Sequence, residues 1–140
     1  MRIEVSKEVA DLMQRSLLVA KKAHFSYVTP ELLLYMMCQN EVFAQAFENC
    51  GGSLADLDAD LRTYLEEYVE TDAEGEDAEH VPEFTHSAGQ LLADAWESVK
   101  NSGRNTMELT HMVHALYGLT ECYAVYYMRV QGIEQAELLR

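Results

Sequence analysis

Residues 5–20 read Val5-Ser6-Lys7-Glu8-Val9-Ala10-Asp11-Leu12-Met13-Gln14-Arg15-Ser16-Leu17-Leu18-Val19-Ala20, and residues 84–99 read Phe84-Thr85-His86-Ser87-Ala88-Gly89-Gln90-Leu91-Leu92-Ala93-Asp94-Ala95-Trp96-Glu97-Ser98-Val99. A shift of 79 positions lays the first on the second without a gap: Val5 meets Phe84, Leu12 meets Leu91, Met13 meets Leu92 and Leu17 meets Trp96. In both stretches the apolar positions recur at helical spacing, Val5, Val9, Leu12, Met13, Leu17, Ala20 in one and Ala88, Leu91, Leu92, Ala95, Trp96, Val99 in the other. Each opens on a hydroxyl that can accept a first-turn amide, Ser6 or Thr85. The register holds downstream, where Val28 meets Met107, Leu33 meets Met112 and Met37 meets Leu116, then slips to 81 so that Gly51 meets Gly132. Self-similarity of this kind predicts a repeated helical unit, two copies sharing one core.

Punctuation supplies the other helices. Thr29-Pro30-Glu31 starts a second one, with a capping hydroxyl, a proline that needs no amide there, and an acid at the positive end of the dipole. A short segment over Val42 to Cys50 stops at Gly51-Gly52. Ser53-Leu54-Ala55-Asp56 opens the stripe Leu54, Leu57, Leu61, Tyr64, Leu65, Tyr68. In the second half Ser102-Gly103 ends a helix. Apolar segments follow over Met112 to Leu119 and over Tyr123 to Val130, and a last helix is expected from Ile133 to the chain end. No stretch alternates with period two for long enough to argue a strand. The expected fold is all-α: two pseudo-symmetric four-helix repeats, about 5–70 and 84–140, joined by an acidic loop at about 71–83, in one domain of 140 residues. Trp96 is expected in the core.

That loop concentrates the charge. Residues 66–83 hold nine acids and no Lys or Arg, out of a formal net charge of −14 for the whole chain. Self-repulsion and the lack of apolar residues predict a solvated linker, with an acidic docking segment as the alternative. A charge of this sign opposes binding to a nucleic-acid backbone or to anionic lipid. No apolar run approaches the roughly 18 residues of a membrane span, and Met1 to Val5 lack the apolar core of a signal peptide. Cys38, Cys50 and Cys122 are an odd count without metal or redox spacing, so reduced, largely buried thiols in a cytoplasmic chain are expected.

Catalytic chemistry finds little to work with. His111 and His114 stand three apart on a helix and could share a metal, but no further ligand accompanies them, and packing or polar roles are expected. No nucleophile sits in a G-x-S-x-G elbow, and the acids are gathered in the solvated stretch. No G-x-x-x-x-G-K offers a phosphate cradle. Phe25, Tyr27, Phe84 and the tyrosines at 123, 126 and 127 lie near helix ends or on crowded faces; some of them are expected to be exposed, and exposed aromatics are the better candidates for a binding patch.

Two four-helix repeats, Phe84-Thr85-x-x-Ala88-x-x-x-Leu92-x-x-Ala95, Val28-Thr29-Pro30-Glu31-x-Leu33-Leu34 and Ser102-Gly103-Arg104-Asn105 together resemble the N-terminal domain of Clp-family AAA+ unfoldases, most closely the ClpA branch. Two departures stand out: Leu32 where many members have His, and Glu108 in the second repeat where Thr29 caps the first. The resemblance implies a non-catalytic module that docks an adaptor of the ClpS type, or exposed apolar substrate segments, and passes proteins to an ATPase ring. It implies no cofactor in this domain, ATP and Mg acting only in ATPase modules elsewhere in a parent chain. It places the docking surface where the second and fifth helices begin, at Ser26, Glu31, Thr85 and Gln90, with the Glu31 carboxylate free to meet a partner. A free-standing regulatory or scaffolding helical domain is the alternative, with a small metal-dependent enzyme behind both.

Overall fold

The computed structural model describes residues 4–69, 71 and 81–139; the expected acidic linker therefore lies largely outside the described residues. Among these the order is β1 (Glu4–Val5), α1 (Lys7–Lys22), β2 (Tyr27–Val28), α2 (Pro30–Met37), α3 (Glu41–Asn49), α4 (Leu54–Glu67), β3 (Glu83–Phe84), α5 (His86–Asn101), β4 (Thr106–Met107), α6 (Leu109–Tyr117), α7 (Tyr123–Val130) and α8 (Gln135–Leu138). The eight helices are the ones the periodicity predicts. The last is shorter than expected, one turn capped at Glu134 rather than a helix running from Ile133.

The local signals act as read. Ser6 Oγ accepts the Val9 amide and Thr85 Oγ1 accepts the Ala88 amide, both at 3.1 Å. Thr29 Oγ1 accepts from Leu32 at 3.1 Å, Asn40 Oδ1 from Phe43 at 3.0 Å, and Ser53 Oγ from Asp56 at 3.2 Å. Each bond satisfies one of the orphan amides of a helix start, a contribution of about 1 kcal/mol. The helix ends repeat as well. His24 (φ 59°) and Gly103 (φ 72°), 79 positions apart, both take the left-handed conformation that closes a Schellman motif. The amide of the following residue reaches back in each case, Phe25 to the Ala20 carbonyl at 2.9 Å and Arg104 to the Val99 carbonyl at 3.1 Å. Gly51 (φ 91°) and Gly132 (φ 79°) repeat the device after α3 and α7.

The four strands were not legible, because two residues cannot display an alternation. They form two parallel pairs, β1 with β4 and β2 with β3, in registers Glu4↔Thr106, Val5↔Met107 and Tyr27↔Glu83, Val28↔Phe84. A shift of 79 turns either pair into the other with its partners exchanged. The repeats thus trade one strand each across a pseudo-twofold axis, and main-chain hydrogen bonds tie them together at both ends. Equivalent positions also share the core: Leu12 and Leu91, Ser16 and Ala95, Ala20 and Val99, Val28 and Met107, Leu33 and Met112, and Met37 and Leu116 are all buried. At the close helix approach the first repeat uses Ser16, whose hydroxyl returns to the Leu12 carbonyl at 2.8 Å, where the second uses Ala95. Trp96 corrects the expectation: it and its equivalent Leu17 pack against this core from its margin, each partly buried. Helix α2 sits centrally, against α1, α4, α5 and α7.

Candidate functional site

The β2–β3 pair sets the starts of α2 and α5 side by side. The Glu83 amide donates to the Ser26 carbonyl and the Thr85 amide to the Val28 carbonyl, both at 3.1 Å. Ser26 and Thr85 thereby flank one short seam, with exposed Tyr27, Glu83 and His86 around them. The Thr85 hydroxyl is committed to its own helix, capping Ala88 and standing 3.2 Å from Ser87 Oγ. Gln90 is exposed further along α5, its Nε2 donating to Asp94 Oδ1 at 2.8 Å. Of the four residues singled out in the sequence, Ser26 and Thr85 therefore flank one seam, and Gln90 is exposed further along α5.

Glu31 does not join them at the surface. It is 3% exposed, and its Oε2 accepts the backbone amide of Ala124, 93 residues away, at 3.0 Å. The expected free carboxylate is instead the missing cap of α7. Cys122, the residue at that helix's start, offers no capping bond of its own, so an acid from the other repeat serves the positive end of the dipole. Burial pushes the Glu31 carboxyl above its ordinary range; hydrogen bonds from the Ala124, Glu31 and Tyr123 amides and from the Tyr64 hydroxyl pull the other way without cancelling it. The local sequence carries two hints of this: Glu31 opens the unbroken run Leu32-Leu33-Leu34, and no Ser, Thr, Asp or Asn stands immediately before Tyr123. Nothing local pairs the two.

His111 and His114 are engaged by the fold's own hydrogen bonds, and the thiols of Cys38 and Cys122 are held unreactive. His111 Nδ1 accepts the Glu108 amide at 2.9 Å, the reciprocal half of a capping box that replaces the missing threonine. His114 is hydrogen bonded to Gln135. Among the described residues no three His, Cys, Asp or Glu side chains gather as a metal site. Burial pushes the Cys38 thiol up to about 12 and the Cys122 thiol up to about 11, which leaves no thiolate nucleophile at either at neutral pH. An open groove of about 720 Å³ runs between α1 and the turn before α3. Its polar groups answer one another, Arg15 bonding Gln39 at 2.9 Å and lying 3.9 Å from Asp11.

Sequence reasoning expected some exposed aromatics but missed how they assemble. Tyr64 and Tyr68 at the end of α4 meet Tyr123, Tyr126 and Tyr127 of α7. Ring centroids are 5.1 Å apart for Tyr64–Tyr123, 6.3 Å for Tyr68–Tyr123 and 5.8 Å for Tyr126–Tyr127. The cluster spans the two repeats, next to the Glu31 clasp.

A double four-helix repeat whose halves exchange strands defines an all-helical, pseudo-symmetric domain. The chain belongs to the Clp repeat (R) N-terminal domain family, whose model matches residues 4–131. Its fold is similar to that of the Hsp104 N-terminal domain from Candida albicans, with a TM-score of 0.83 at 12% identity over 97% of this chain and 87% of that one. It is likewise similar to the N-terminal domain of the chaperone ClpD from Arabidopsis thaliana, with a TM-score of 0.67 at 14% identity over 97% of this chain and 90% of that one. A ClpV N-domain solved in complex with a VipB peptide gives a TM-score of 0.71 at 14% identity over 99% and 88%. No curated protein shows a significant sequence match to the chain. Among the described residues no helix is long and apolar enough to cross a membrane.

Proposed function

We propose that this chain is the substrate- and adaptor-docking domain of an ATP-dependent protein-unfolding chaperone of the ClpA type. It works in the cytoplasm without a cofactor of its own, while ATP and Mg act in ATPase modules of the parent chain. The observation that carries this reading is the family match across nearly the whole chain; the peptide held by the ClpV N-domain supports a binding role for the fold. The docking surface is the β2–β3 seam, with Ser26, Thr85 and Gln90 facing a ClpS-type adaptor and Glu31 holding α7 beneath it.

The pseudo-twofold axis supplies the control. Asp11 and Asn105 occupy at the β1–β4 seam the places that Gln90 and Ser26 occupy here. Calorimetric titration of a ClpS-type adaptor into the chain compares Gln90→Arg with Asp11→Arg. The expected result is affinity about tenfold weaker for Gln90→Arg, the scale of a rim contact reversed in character, and wild-type affinity for Asp11→Arg. The opposite pattern moves docking to the other seam. No binding to wild type removes the ClpA-type assignment.

A further inference from the structure

The five-tyrosine face of α4 and α7 is built for something the fold itself does not require. Tyr68, Tyr123 and Tyr126 are 66%, 51% and 58% exposed, and Val130 beside them is 63% exposed. Rings contact rings across the whole face, with Tyr68 and Tyr123 nearly parallel at 8°. A contiguous exposed aromatic surface is costly in water and marks an interface. The other repeat shows that α7 needs no such face: at the shift of 81, the equivalents of Tyr123, Tyr126, Tyr127 and Val130 are Val42, Gln45, Ala46 and Asn49 on α3. The same helix packs there with one exposed apolar side chain, Val42, in place of three.

We propose that this face docks a basic segment of a partner protein, one in which Arg or Lys side chains alternate with apolar ones. Charge complementarity selects that occupant. Half-buried Asp60 of α4 is near the Tyr127 phenol, and Glu66, Glu67 and Glu121 stand exposed on the flanking helix ends. The two arginines in the neighbourhood are engaged elsewhere, Arg62 with Asp58 at 3.3 Å and Arg129 with Glu134 at 3.4 Å and with the Tyr117 ring. The phenol faces are thus left to a guest cation, and a guanidinium stacking on them gains both cation–π attraction and the surrounding negative potential. A second copy of this chain, at −14, brings the wrong sign. This surface is distinct from the β2–β3 seam, so the inference stands whether or not an adaptor docks there.

The probe is a short fluorescein-labelled peptide of alternating arginine and leucine, titrated with the 140-residue chain and followed by anisotropy. The exposed pair is tested as Tyr68→Ser with Tyr126→Ser, against Tyr68→Phe with Tyr126→Phe, with thermal melts verifying that each variant folds. Expected are binding by wild type, a loss of about tenfold or more in the serine variant, retention in the phenylalanine variant, weakening by added salt, and wild-type affinity in Gln90→Arg. A glutamate–leucine peptide should not bind. Equal affinity of the serine variant for the basic peptide overturns the proposal, because attraction would then be diffuse. So does comparable binding of the acidic peptide. A concentration-dependent dimer in sedimentation that the serine variant abolishes would make the occupant a second copy, and would overturn it too.

Discussion

Replacing Glu31 tests the interlock between the repeats. Glu31→Ala removes a 3% exposed side chain whose carboxylate accepts the Ala124 amide at 3.0 Å. Two losses follow: the cap of α7, about 1 kcal/mol, and the penalty of a buried amide without a partner, about 1–2 kcal/mol more. Glu31→Ala should therefore cost about 2–3 kcal/mol by urea denaturation, a fall of roughly 5–10 °C in melting temperature for a domain of this size. Glu31→Lys buries a cation against the same positive helix end and should cost more, about 3–5 kcal/mol. A free surface carboxylate, the expectation drawn from sequence, would instead leave the stability of Glu31→Lys nearly unchanged. Glu31→Gln keeps an acceptor for Ala124 without a buried charge, so it should lie close to wild type. The pH dependence has a definite sign. Burial raises the Glu31 carboxyl above 4.5, so between that value and the folded one the native state holds a proton the unfolded chain has lost. The stability this group contributes is complete below 4.5 and declines as pH rises through the folded value. Relative to Glu31→Gln, wild type should therefore lose stability as pH rises above about 4.5 and level off once the pH has passed the raised folded value. A cost below about 0.5 kcal/mol for Glu31→Ala, or a flat difference across that pH range, would refute the buried clasp.

His24 occupies a left-handed position at φ 59° where its equivalent is Gly103, so His24→Gly should stabilise the chain by about 0.5–1 kcal/mol in the same denaturation assay; a loss would show that the imidazole contributes more than the backbone strain costs. Trp96, partly buried at the core's margin, should cost about 2–3 kcal/mol as Trp96→Ala, less than the roughly 3–5 kcal/mol of a fully enclosed aromatic. Urea denaturation followed by circular dichroism checks it, and a value at the upper end of the enclosed range would return Trp96 to the core.

The fold was readable because most of its determinants are local. A capping hydroxyl acts three residues away, a left-handed terminator acts within its own turn, and an amphipathic stripe is its own record, so α1, α2 and α5 follow from Ser6, Thr29-Pro30 and Thr85. The strands escaped notice for the opposite reason: β1 through β4 have two residues each, and what makes them strands is a partner in the other repeat. The residues named for docking divide along the same line. Ser26 and Thr85, named from the family resemblance, come together across the β2–β3 pair. Glu31 was misplaced because a first-turn acid looks alike whether it faces water or the end of a helix 93 residues later. Each tyrosine was visible in the sequence. Their assembly was not, since it depends on α4 and α7 lying together.

The symmetry and its breaks explain why one side of the domain differs from the other. Strand exchange and paired terminators bind the repeats equivalently, so either seam is available to a partner on grounds of backbone alone. The side chains then separate them. Asp11 and Arg15 pair along α1, whereas the equivalent positions on α5 are Gln90 and Asp94, joined by a hydrogen bond. The larger break is at the third helix of each repeat. Asn40 caps α3 from within its own repeat, but α7 takes its cap from Glu31. Borrowing that cap holds α7 against α2 and α4, and this placement brings Tyr123 onto Tyr64 and Tyr68. Weakening the clasp should therefore disturb the tyrosine face before it disturbs the β2–β3 seam, because the seam has its own main-chain hydrogen bonds whereas the start of α7 takes its side-chain cap from Glu31.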